Sequence, residues 1–385
     1  MEKCYELLNL TSRSFATVIQ HLDDELRPAI CLFYLVLRGL DTIEDDMTIP
    51  NEKKIPLLHK FDGFLKTPGW TFTESGPNEK DAPLLVQFDV VIHEYLKLKP
   101  VFQETIADIT RRMAFGMTEF MTRKVETLKD WDLYCHYVAG LVGIGLSRIF
   151  SASGLESPDV AAREDLSNSM GLFLQKTNII RDYLEDIEQG RVFWPKEVWS
   201  LYVPDKNKDL AEFKKLTNSA NALDCLNHLI NNALGHVPDV IAYMSQIKNQ
   251  SVFNFCAIPQ VMAIATLSAC YNNHGVFTGV VKIRKGEAVK LIIQSRSLTN
   301  LAEVFDDHLR KIQRRIFNQG NPINAATAAI VQKSLQRDIA PLYTPSPARG
   351  LFSSPAFLGL LCLVSYFASK TSTSWLCKGE RKRKK

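Results

Sequence analysis

Two clusters of carboxylates with identical spacing are the residues of this chain best suited to chemistry. They are Asp41, Glu44 and Asp45 in RGLDTIEDDM, and Asp182, Glu185 and Asp186 in IIRDYLEDIE. Both segments have the pattern D-x-x-E-D. Positions i, i+3 and i+4 of an α-helix share one face, so each cluster is predicted to gather three negative charges on one side of a helix. Because like charges repel, such a face is costly unless a cation neutralises it.

The ligand chemistry of these clusters predicts magnesium. Neither cluster contains His or Cys, and each follows an apolar run, CLFYLVL or GLFLQKTNII. Mg²⁺ prefers carboxylate oxygens and takes water and phosphate oxygens as its remaining ligands. Arg38 precedes Asp41 by three residues and Arg181 adjoins Asp182, and a guanidinium can grip phosphate at two points. The pattern therefore predicts a site that ionises an allylic diphosphate, and its repetition disfavours the alternative of two solvated helix ends.

The elements that position these residues are predicted to be helices. Apolar residues recur at i, i+3 and i+4 through most of the first 340 residues, which is the period of a helix with one buried face. Examples of predicted helices are Ile30–Leu40, Leu84–Leu96, Val101–Phe120, Leu133–Phe150, Leu166–Ile187, Ala220–Met244, Val252–Tyr271 and Lys285–Phe317. Clusters of Gly, Pro and Ser predict loops at Thr67–Pro83, Ser151–Pro158, Tyr202–Asp209, Asn318–Asn324 and Pro341–Pro355. We therefore expect one all-α catalytic domain over residues 1–340.

The C-terminal segment is predicted to attach the chain to a membrane. Residues 350–369 carry no charge, and a helix of that length rises about 30 Å, the thickness of a bilayer core. We expect a linker over 341–355 and a membrane-anchor helix with a basic tail over 356–385; the alternative is a buried C-terminal helix. A helix that spans the membrane from a cytosolic body would place the RKRKK end on the opposite side, whereas the positive-inside rule favours a cytosolic RKRKK end. The side on which the last fifteen residues lie therefore stays open.

Composition and charge exclude several classes of protein. Apolar residues make up 46% of the 385 residues and charged residues 23%, which excludes disordered, collagen-like and disulfide-dense secreted chains. The net charge of +4 comes from the C-terminal tail, so the remaining body is nearly neutral. A nucleic-acid partner is therefore not expected. The eight cysteines form no CxxC pair and the N-terminus has no secretory signal, so we expect reduced thiols in a body that faces the cytosol.

Taken together, the chain resembles the eukaryotic squalene synthases (farnesyl-diphosphate farnesyltransferases) from about Tyr5 to Leu298. The matching segments are SRSF (Ser12–Phe15), LRGLDTIEDDMTI (Leu37–Ile49), YCHYVAGLVGIGLSRIF (Tyr134–Phe150), NSMGLFLQKTNIIRDYLED (Asn168–Asp186), RVFWP (Arg191–Pro195), FNFCAIPQVMAIATL (Phe253–Leu267) and VKIRKG (Val281–Gly286). The acid motifs alone would suit any head-to-head prenyl synthase. The loop Thr67–Asp81 and the region after Asn300 match nothing that we can assign.

The resemblance implies a fold, an activity and a location. The fold is a single isoprenoid-synthase-type bundle of helices around a central apolar cavity, with a C-terminal membrane-anchor helix. The activity is the condensation of two farnesyl diphosphates to presqualene diphosphate, followed by NADPH-dependent reduction to squalene, the first committed step toward sterols. Mg²⁺ is the implied metal. The family is also expected to have a monomeric catalytic domain that faces the cytosol at the endoplasmic reticulum membrane.

The resemblance also implies roles for individual residues. Magnesium ligands would be Asp41, Glu44 and Asp45, faced by Asp182 and Asp186. Residues that bind NADPH or diphosphate would be Arg13, Arg38, Arg181, Lys282 and Arg284. Tyr134 would lie at the reacting carbons.

The residues themselves support these roles unequally. Lys282 and Arg284 lie between Gly279 and Gly286, as in a basic loop over phosphates, although a solvated turn has the same pattern. A phenol can take a proton from a carbocation or stabilise it through its ring, but chemistry alone does not choose Tyr134 over Tyr137. The small residues that follow Tyr134 suit either a prenyl tail or close helix packing.

Two other functions are compatible with parts of the pattern. A phytoene-synthase-like enzyme would share the acid clusters and the first coupling step but would use no reductant, and the segment VKIRKG argues against it. A tail-anchored scaffold would carry the acid motifs without turnover.

Overall fold

The computed structural model describes residues 1–205, 209–318 and 320–342, without the side chains of Arg13 and Ser14. Within these ranges the chain is helical and contains no β-strand, which confirms the predicted all-α class. The predicted anchor helix and basic tail, residues 356–385, lie outside the described residues, as does nearly all of the predicted linker.

Several of the predicted helices are interrupted, and further short helices lie between them. In chain order, the α-helices of the described residues, α1 to α21, span Glu2–Thr11, Arg13–Gln20, Arg27–Asp45, Asn51–His59, Phe61–Phe64, Ala82–Val86, Phe88–Tyr95, Pro100–Phe120, Leu128–Cys135, Leu141–Ala152, Pro158–Ala162, Glu164–Arg181, Tyr183–Glu188, Lys196–Trp199, Ser219–Leu234, Val237–Gln246, Gln250–Cys270, Gly275–Thr278, Lys285–Gln294, Leu298–Gln313 and Pro322–Lys333. Two π-helical segments, His136–Gly140 and Ser334–Ile339, and three 3₁₀ segments, Leu210–Lys214, Leu216–Asn218 and Ala340–Leu342, complete the set.

The chain divides into two compact units. Unit one comprises Met1–Lys124, Asp132–Gly171 and Gln246–Phe255. Unit two comprises Val125–Trp131, Leu172–Ser245 and the described residues from Cys256 to Leu342. The single catalytic domain over residues 1–340 and the central apolar cavity stay predictions.

Helix α3 (Arg27–Asp45) forms the centre of unit one. Pro28 fits its first turn, where a missing N–H costs nothing. An almost unbroken apolar run follows, and Leu32, Leu35 and Val36 are completely buried. The helix packs against α1, α7 and α8. Each buried aliphatic side chain contributes about 1.5–3 kcal/mol, so the acid motif at the end of α3 stands on a firmly packed helix.

Glycines allow two helical segments of unit one to approach closely. A Cβ on Gly143 would lie 2.2 Å from the Ser167 carbonyl oxygen, and a Cβ on Gly171 would lie 2.3 Å from that of Ala139. The small residues after Tyr134 therefore serve helix packing at these positions. The helix predicted over Leu133–Phe150 begins earlier, at Leu128, and is widened by the π-helical turn His136–Gly140.

Unit two is built around paired helices and an aromatic cluster. Helix α15 packs against α21, and α21 packs against α20. The cluster consists of Tyr183, Trp194, Phe213 and Phe277. The centroid of the Tyr183 ring lies 5.1 Å from that of Trp194 and 4.9 Å from that of Phe277. The helix predicted over Lys285–Phe317 is interrupted because the Ser297 hydroxyl accepts the Asn300 N–H and starts a new helix.

Two helical stretches in the described part of the chain are long and apolar enough to cross a membrane, Leu128–Ala152 and Gln250–Cys270. Core helices of soluble proteins pass the same test, and the second stretch is largely buried. Neither stretch is the C-terminal segment predicted as the anchor.

Candidate active site

The first acid motif occupies the last turn of α3. Asp41, Glu44 and Asp45 all belong to this uninterrupted helix, as the spacing predicted. The helix ends at Asp45, and the backbone of the next residue, Asp46, is extended. The ammonium of buried Lys54 donates to the Glu44 carbonyl oxygen at 2.6 Å, where a cation satisfies an end carbonyl and complements the helix dipole.

Arg38 lies one turn before this motif and is almost completely buried. Its Nη1 lies 3.9 Å from Asp41 Oδ2, its Nε lies 3.7 Å from Asp81 Oδ2, and its Nη2 donates to the Tyr34 hydroxyl at 3.4 Å. Burial disfavours the charged guanidinium, but Tyr34, Asp41 and Asp81 outweigh burial and raise the pKa of Arg38. A charged, shielded arginine therefore stands beside the predicted metal ligands.

The loop before α6, which the sequence left unassigned, is fastened to the end of α3. The Asp46 carboxylate accepts the N–H and hydroxyl of Thr48, and it also accepts the N–H of Gly76 at 2.7 Å. A Cβ on Gly76 would lie 2.7 Å from the Thr48 side chain, so a larger residue here would force Thr48 to shift. The loop also places Glu79 near Asp81 and Asp45, and burial together with these negative charges raises the pKa of Glu79.

The second acid motif has a different local structure. Helix α12 ends at Arg181, Asp182 has φ −92° and ψ 14°, and α13 begins at Tyr183. The Asp186 N–H still donates to the Asp182 carbonyl at 3.0 Å, so the interruption is a slight distortion of the predicted face. Arg181 Nε and Nη2 donate to the two oxygens of Asp182 at 2.7 and 2.6 Å, which is a bidentate pair.

Asp186 is the buried carboxylate of the second motif. Burial, together with the charges of Asp182 and Glu185, raises its pKa to about 7, although Arg191 opposes this shift. Arg191 Nη2 donates to Asp186 Oδ1 at 3.1 Å, and the Arg191 N–H donates to the Asp186 carbonyl at 2.8 Å. Sequence analysis matched RVFWP only as a segment and assigned Arg191 no role.

A buried lysine supports the helix that carries the second motif. Lys176 in α12 is 1% exposed, and its ammonium donates to Asn232 Oδ1 at 2.6 Å and to His236 Nε2 at 2.9 Å. The same ammonium lies 5.1 Å from the centre of the Trp131 ring. Burial and the charge of Lys176 lower the pKa of His236 to about 3. The only sequence signal for this cluster is a lysine inside an apolar run.

Tyr134 and Tyr137 both lie beside the ring of Phe120. The Tyr137 hydroxyl donates to Glu119 Oε2 at 3.2 Å, and burial together with Glu119 raises the pKa of Tyr137. The centroids of the Tyr134 and Phe120 rings lie 5.3 Å apart, and the ring planes are inclined at 65°. Tyr134 lies two residues before the π-helical turn His136–Gly140, and Cys135 is between them. Such turns occur often at functional sites.

The predicted phosphate-binding residues of unit two include an exposed pair. Lys282 and Arg284 lie in a segment without regular secondary structure, and Arg284 is the N-cap residue of α19. Both side chains are exposed. Arg13 begins α2 in unit one, but its side chain lies outside the described residues.

The donor set fits Mg²⁺ that is completed by substrate, and it does not fit a closed protein cage. The described residues include no group of three or more His, Cys, Asp or Glu side chains placed to hold a metal ion. Mg²⁺ usually binds through one or two carboxylates plus waters and phosphate oxygens. The acid motifs offer such carboxylates, with the Asp41 side chain 16% exposed and the Asp182 side chain 31% exposed.

Comparison with known proteins places the chain in a family. A family model described as squalene/phytoene synthase matches residues 8–287. The chain belongs to this family.

Individual relatives narrow the class. Squalene synthase of Homo sapiens is 56% identical over 331 residues, which cover 86% of this chain and 78% of the relative. Squalene synthase of Dictyostelium discoideum is 55% identical over 317 residues, covering 82% and 75%. A solved structure of TcSQS in complex with the ligand E5700 is 43% identical, superposes with a TM-score of 0.85, and covers 89% of this chain and 98% of that chain. These likenesses confirm the resemblance to squalene synthases and the predicted fold class, and they support the function of a squalene synthase, a prenyltransferase-type enzyme.

Proposed function

We propose that this chain condenses two farnesyl diphosphates to presqualene diphosphate and reduces that product to squalene, using Mg²⁺ and NADPH. The repeated D-x-x-E-D motif, with an arginine next to an acid of each copy, carries the proposal. It supplies oxygen ligands for a divalent cation and guanidinium groups for diphosphate within one short segment. Membership of the squalene/phytoene synthase family supports it.

The first step is ionisation of an allylic diphosphate. Carboxylates of Asp41, Glu44 and Asp45 would hold Mg²⁺, and those of Asp182 and Asp186 would do the same in unit two. When bound, this metal stabilises the negative charge of the departing diphosphate. Arg38 and Arg181 bind phosphate oxygens and orient them for departure.

Coupling then joins the two prenyl chains. The double bond of the second farnesyl group attacks the allylic cation, and loss of one proton closes the cyclopropane ring. Tyr134 takes that proton or stabilises the cation through its ring. Phe120 supports the Tyr134 ring from its edge.

The second half-reaction opens the cyclopropane after a further ionisation. When bound, NADPH would supply the hydride that quenches the resulting cation. Lys282 and Arg284 would bind its phosphates, since both are exposed cations next to the start of α19. The site must exclude water, because water would trap either cation as an alcohol.

The remaining parts of the proposal concern location and assembly. We infer that residues 356–385 anchor a monomeric, cytosol-facing catalytic domain to the endoplasmic reticulum membrane. Squalene is insoluble in water, so a site beside the bilayer lets the product leave into lipid. The absence of charge over residues 350–369 supports the anchor.

The test uses the full chain in detergent, incubated with farnesyl diphosphate and Mg²⁺, with and without NADPH. Squalene with NADPH and presqualene diphosphate without it are the expected products. A coupled diphosphate that is unchanged by NADPH would indicate the phytoene-synthase-like alternative. Absence of any metal-dependent product would indicate a scaffold.

The role of Tyr134 is tested by Tyr134→Phe, with Tyr137→Phe as the matched control. We expect the first half-reaction to slow by about 10²-fold in Tyr134→Phe if the phenol moves a proton. Tyr137→Phe removes a hydrogen bond to Glu119 and should change the rate only a few-fold. Equal rates for Tyr134→Phe and the unmodified chain would reduce Tyr134 to a packing residue.

A further inference from the structure

Arg38 is a buried cation held between two carboxylates of unit one. Its side chain is 8% exposed, and the side chain of Asp81 is 9% exposed. The distances to Asp81 and Asp41, 3.7 and 3.9 Å, are too long for hydrogen bonds but short enough for strong attraction where water is excluded. The position of the guanidinium therefore depends on the balance between the two acids.

Several independent contacts hold Asp81 in this position. Asp46 holds the preceding loop through the Gly76 N–H. The Phe72 N–H donates to the Leu85 carbonyl at 3.0 Å, and Asp81 directly precedes α6, which packs against α3. Glu79 Oε1 accepts the Asp81 N–H at 3.1 Å. Asp81 is thus a fixed partner, although its segment showed no recognisable motif in the sequence.

We propose that Asp81 is a positioning residue for Arg38, and that it keeps the guanidinium directed toward diphosphate by preventing its collapse onto Asp41. This inference rests on the proposed function, in which Arg38 binds diphosphate. Asp81 attracts the Nε side of the guanidinium while Tyr34 accepts from Nη2. Without the charge of Asp81, the attraction to Asp41 loses the carboxylate that opposes it, so Arg38 moves toward Asp41 and presents a misoriented fork to phosphate.

The two possible roles of Asp81, as a negative charge alone or as a positioning residue, predict opposite changes in anion binding when its charge is removed. The proposal is therefore testable. Removing a negative charge near an anion site should tighten anion binding if Asp81 acts only through its field. Loss of a positioning contact should weaken binding despite the more favourable field. The sign of the change therefore separates the two roles.

The experiment measures binding of inorganic pyrophosphate to the full chain in detergent by calorimetry, with Mg²⁺ present and absent, together with KM and kcat for farnesyl diphosphate. We expect Asp81→Asn to weaken pyrophosphate binding about 10-fold and to raise KM by a similar factor. Asp81→Glu, which restores the charge, should recover part of the affinity. Unchanged or tighter binding by Asp81→Asn overturns the proposal.

Two further variants keep the outcomes distinguishable. Glu79→Gln removes a charge from the same loop and can still accept the Asp81 N–H, so it should leave binding unchanged or slightly tighter. Arg38→Gln should weaken binding, and adding Asp81→Asn to it should cause little further loss. If Arg38→Gln binds pyrophosphate normally, the phosphate-binding role of Arg38 in the proposed function fails. If Arg38→Gln weakens binding but Asp81→Asn does not, only the positioning role fails.

Discussion

In unit one the acid motif ends a continuous helix, and its arginine is shared, with Arg38 lying 3.9 Å from Asp41 and 3.7 Å from Asp81. In unit two the same spacing spans an interruption at Asp182, and Arg181 grips that carboxylate with two hydrogen bonds of 2.6 and 2.7 Å. The two motifs have the same spacing of acids. In unit one the neighbouring arginine lies between two carboxylates, whereas in unit two it pairs with one carboxylate.

This difference shows that the spacing of the acids defines which residues can be ligands. It does not define how strongly each carboxylate can bind a metal ion. A carboxylate held bidentately by arginine must give up a strong charge-assisted pair before it can bind a metal fully. Asp41 has a more distant arginine that a second acid also attracts. We therefore expect the motif of unit one to contribute more to cation binding than the motif of unit two.

The largest expected effect comes from Asp41→Asn. Loss of this carboxylate should reduce formation of presqualene diphosphate by at least about 10³-fold, because electrostatic stabilisation of the leaving group is lost. Asp182→Asn should reduce it by roughly 10- to 10²-fold, because the released Arg181 can still bind phosphate. Product formation is measured over a range of Mg²⁺ concentrations with the full chain.

The two substitutions are matched in chemistry and differ only in motif, so each is the control for the other. Far-ultraviolet circular dichroism should be unchanged in both. Equal losses would remove the asymmetry between the motifs. Near-normal product formation by Asp41→Asn would contradict its assignment as a metal ligand.

Sequence reasoning located the acid motifs and the helical class because both depend on local periodicity. It missed the interruption at Asp182 because Tyr183 continues the apolar period of the helix. The Tyr183 ring packs in an aromatic cluster with Trp194 and Phe277, and Phe277 lies far along the chain. It missed Asp81 and Lys176 for a related reason. Their partners, Arg38 and His236, are 43 and 60 residues away, and no local pattern reports a contact between them.

A second prediction concerns the basic segment, which belongs to unit two. Lys282→Ala combined with Arg284→Ala should raise the NADPH concentration needed for half-maximal squalene formation by about 10-fold or more, because two phosphate contacts are removed. Presqualene diphosphate should accumulate, and the rate of the first step should change little. Asp41→Asn, in contrast, should stop both steps.

The matched control for the basic segment is Lys290→Ala, which removes an exposed lysine from the body of α19. It should leave the NADPH requirement unchanged. Squalene formation by the double variant that is normal at low NADPH would assign the segment another role.

The smallest expected effect is a difference in acid sensitivity between the units. Three histidines of unit two, His228, His236 and His308, have a pKa lowered chiefly by burial, to about 3 for His236 and about 4 for His308. In the unfolded chain a histidine has a pKa of about 6.5. Between pH 6.5 and these folded values the unfolded chain binds protons on these histidines that the folded chain does not, so their contribution to stability is complete above pH 6.5 and falls as the pH is lowered. Asp186, whose pKa is raised to about 7, shifts stability in the opposite direction.

The end of α3 in unit one is not expected to share this sensitivity. Burial opposes ionisation of Asp46, but hydrogen bonds from Thr48 and Gly76 outweigh it and lower its pKa. Its stabilising contribution is therefore present above the unfolded pKa of about 3.9 and is lost only as the pH falls through the lower, folded value. Between pH 6.5 and 5 the two units should respond differently to acid.

Hydrogen exchange, corrected for intrinsic rates, measures this difference. On acidification from pH 7 to pH 5, peptides from the unit-two part of α12 should lose protection before peptides from α3, by about 1–2 kcal/mol for the His236 contribution. His236→Gln keeps an acceptor for Lys176 but cannot titrate, so it should remove much of that loss, whereas exposed His21→Gln should not. Loss of protection that is equal in both peptides would show that the buried Lys176–His236 pair gives the second motif no acid sensitivity of its own.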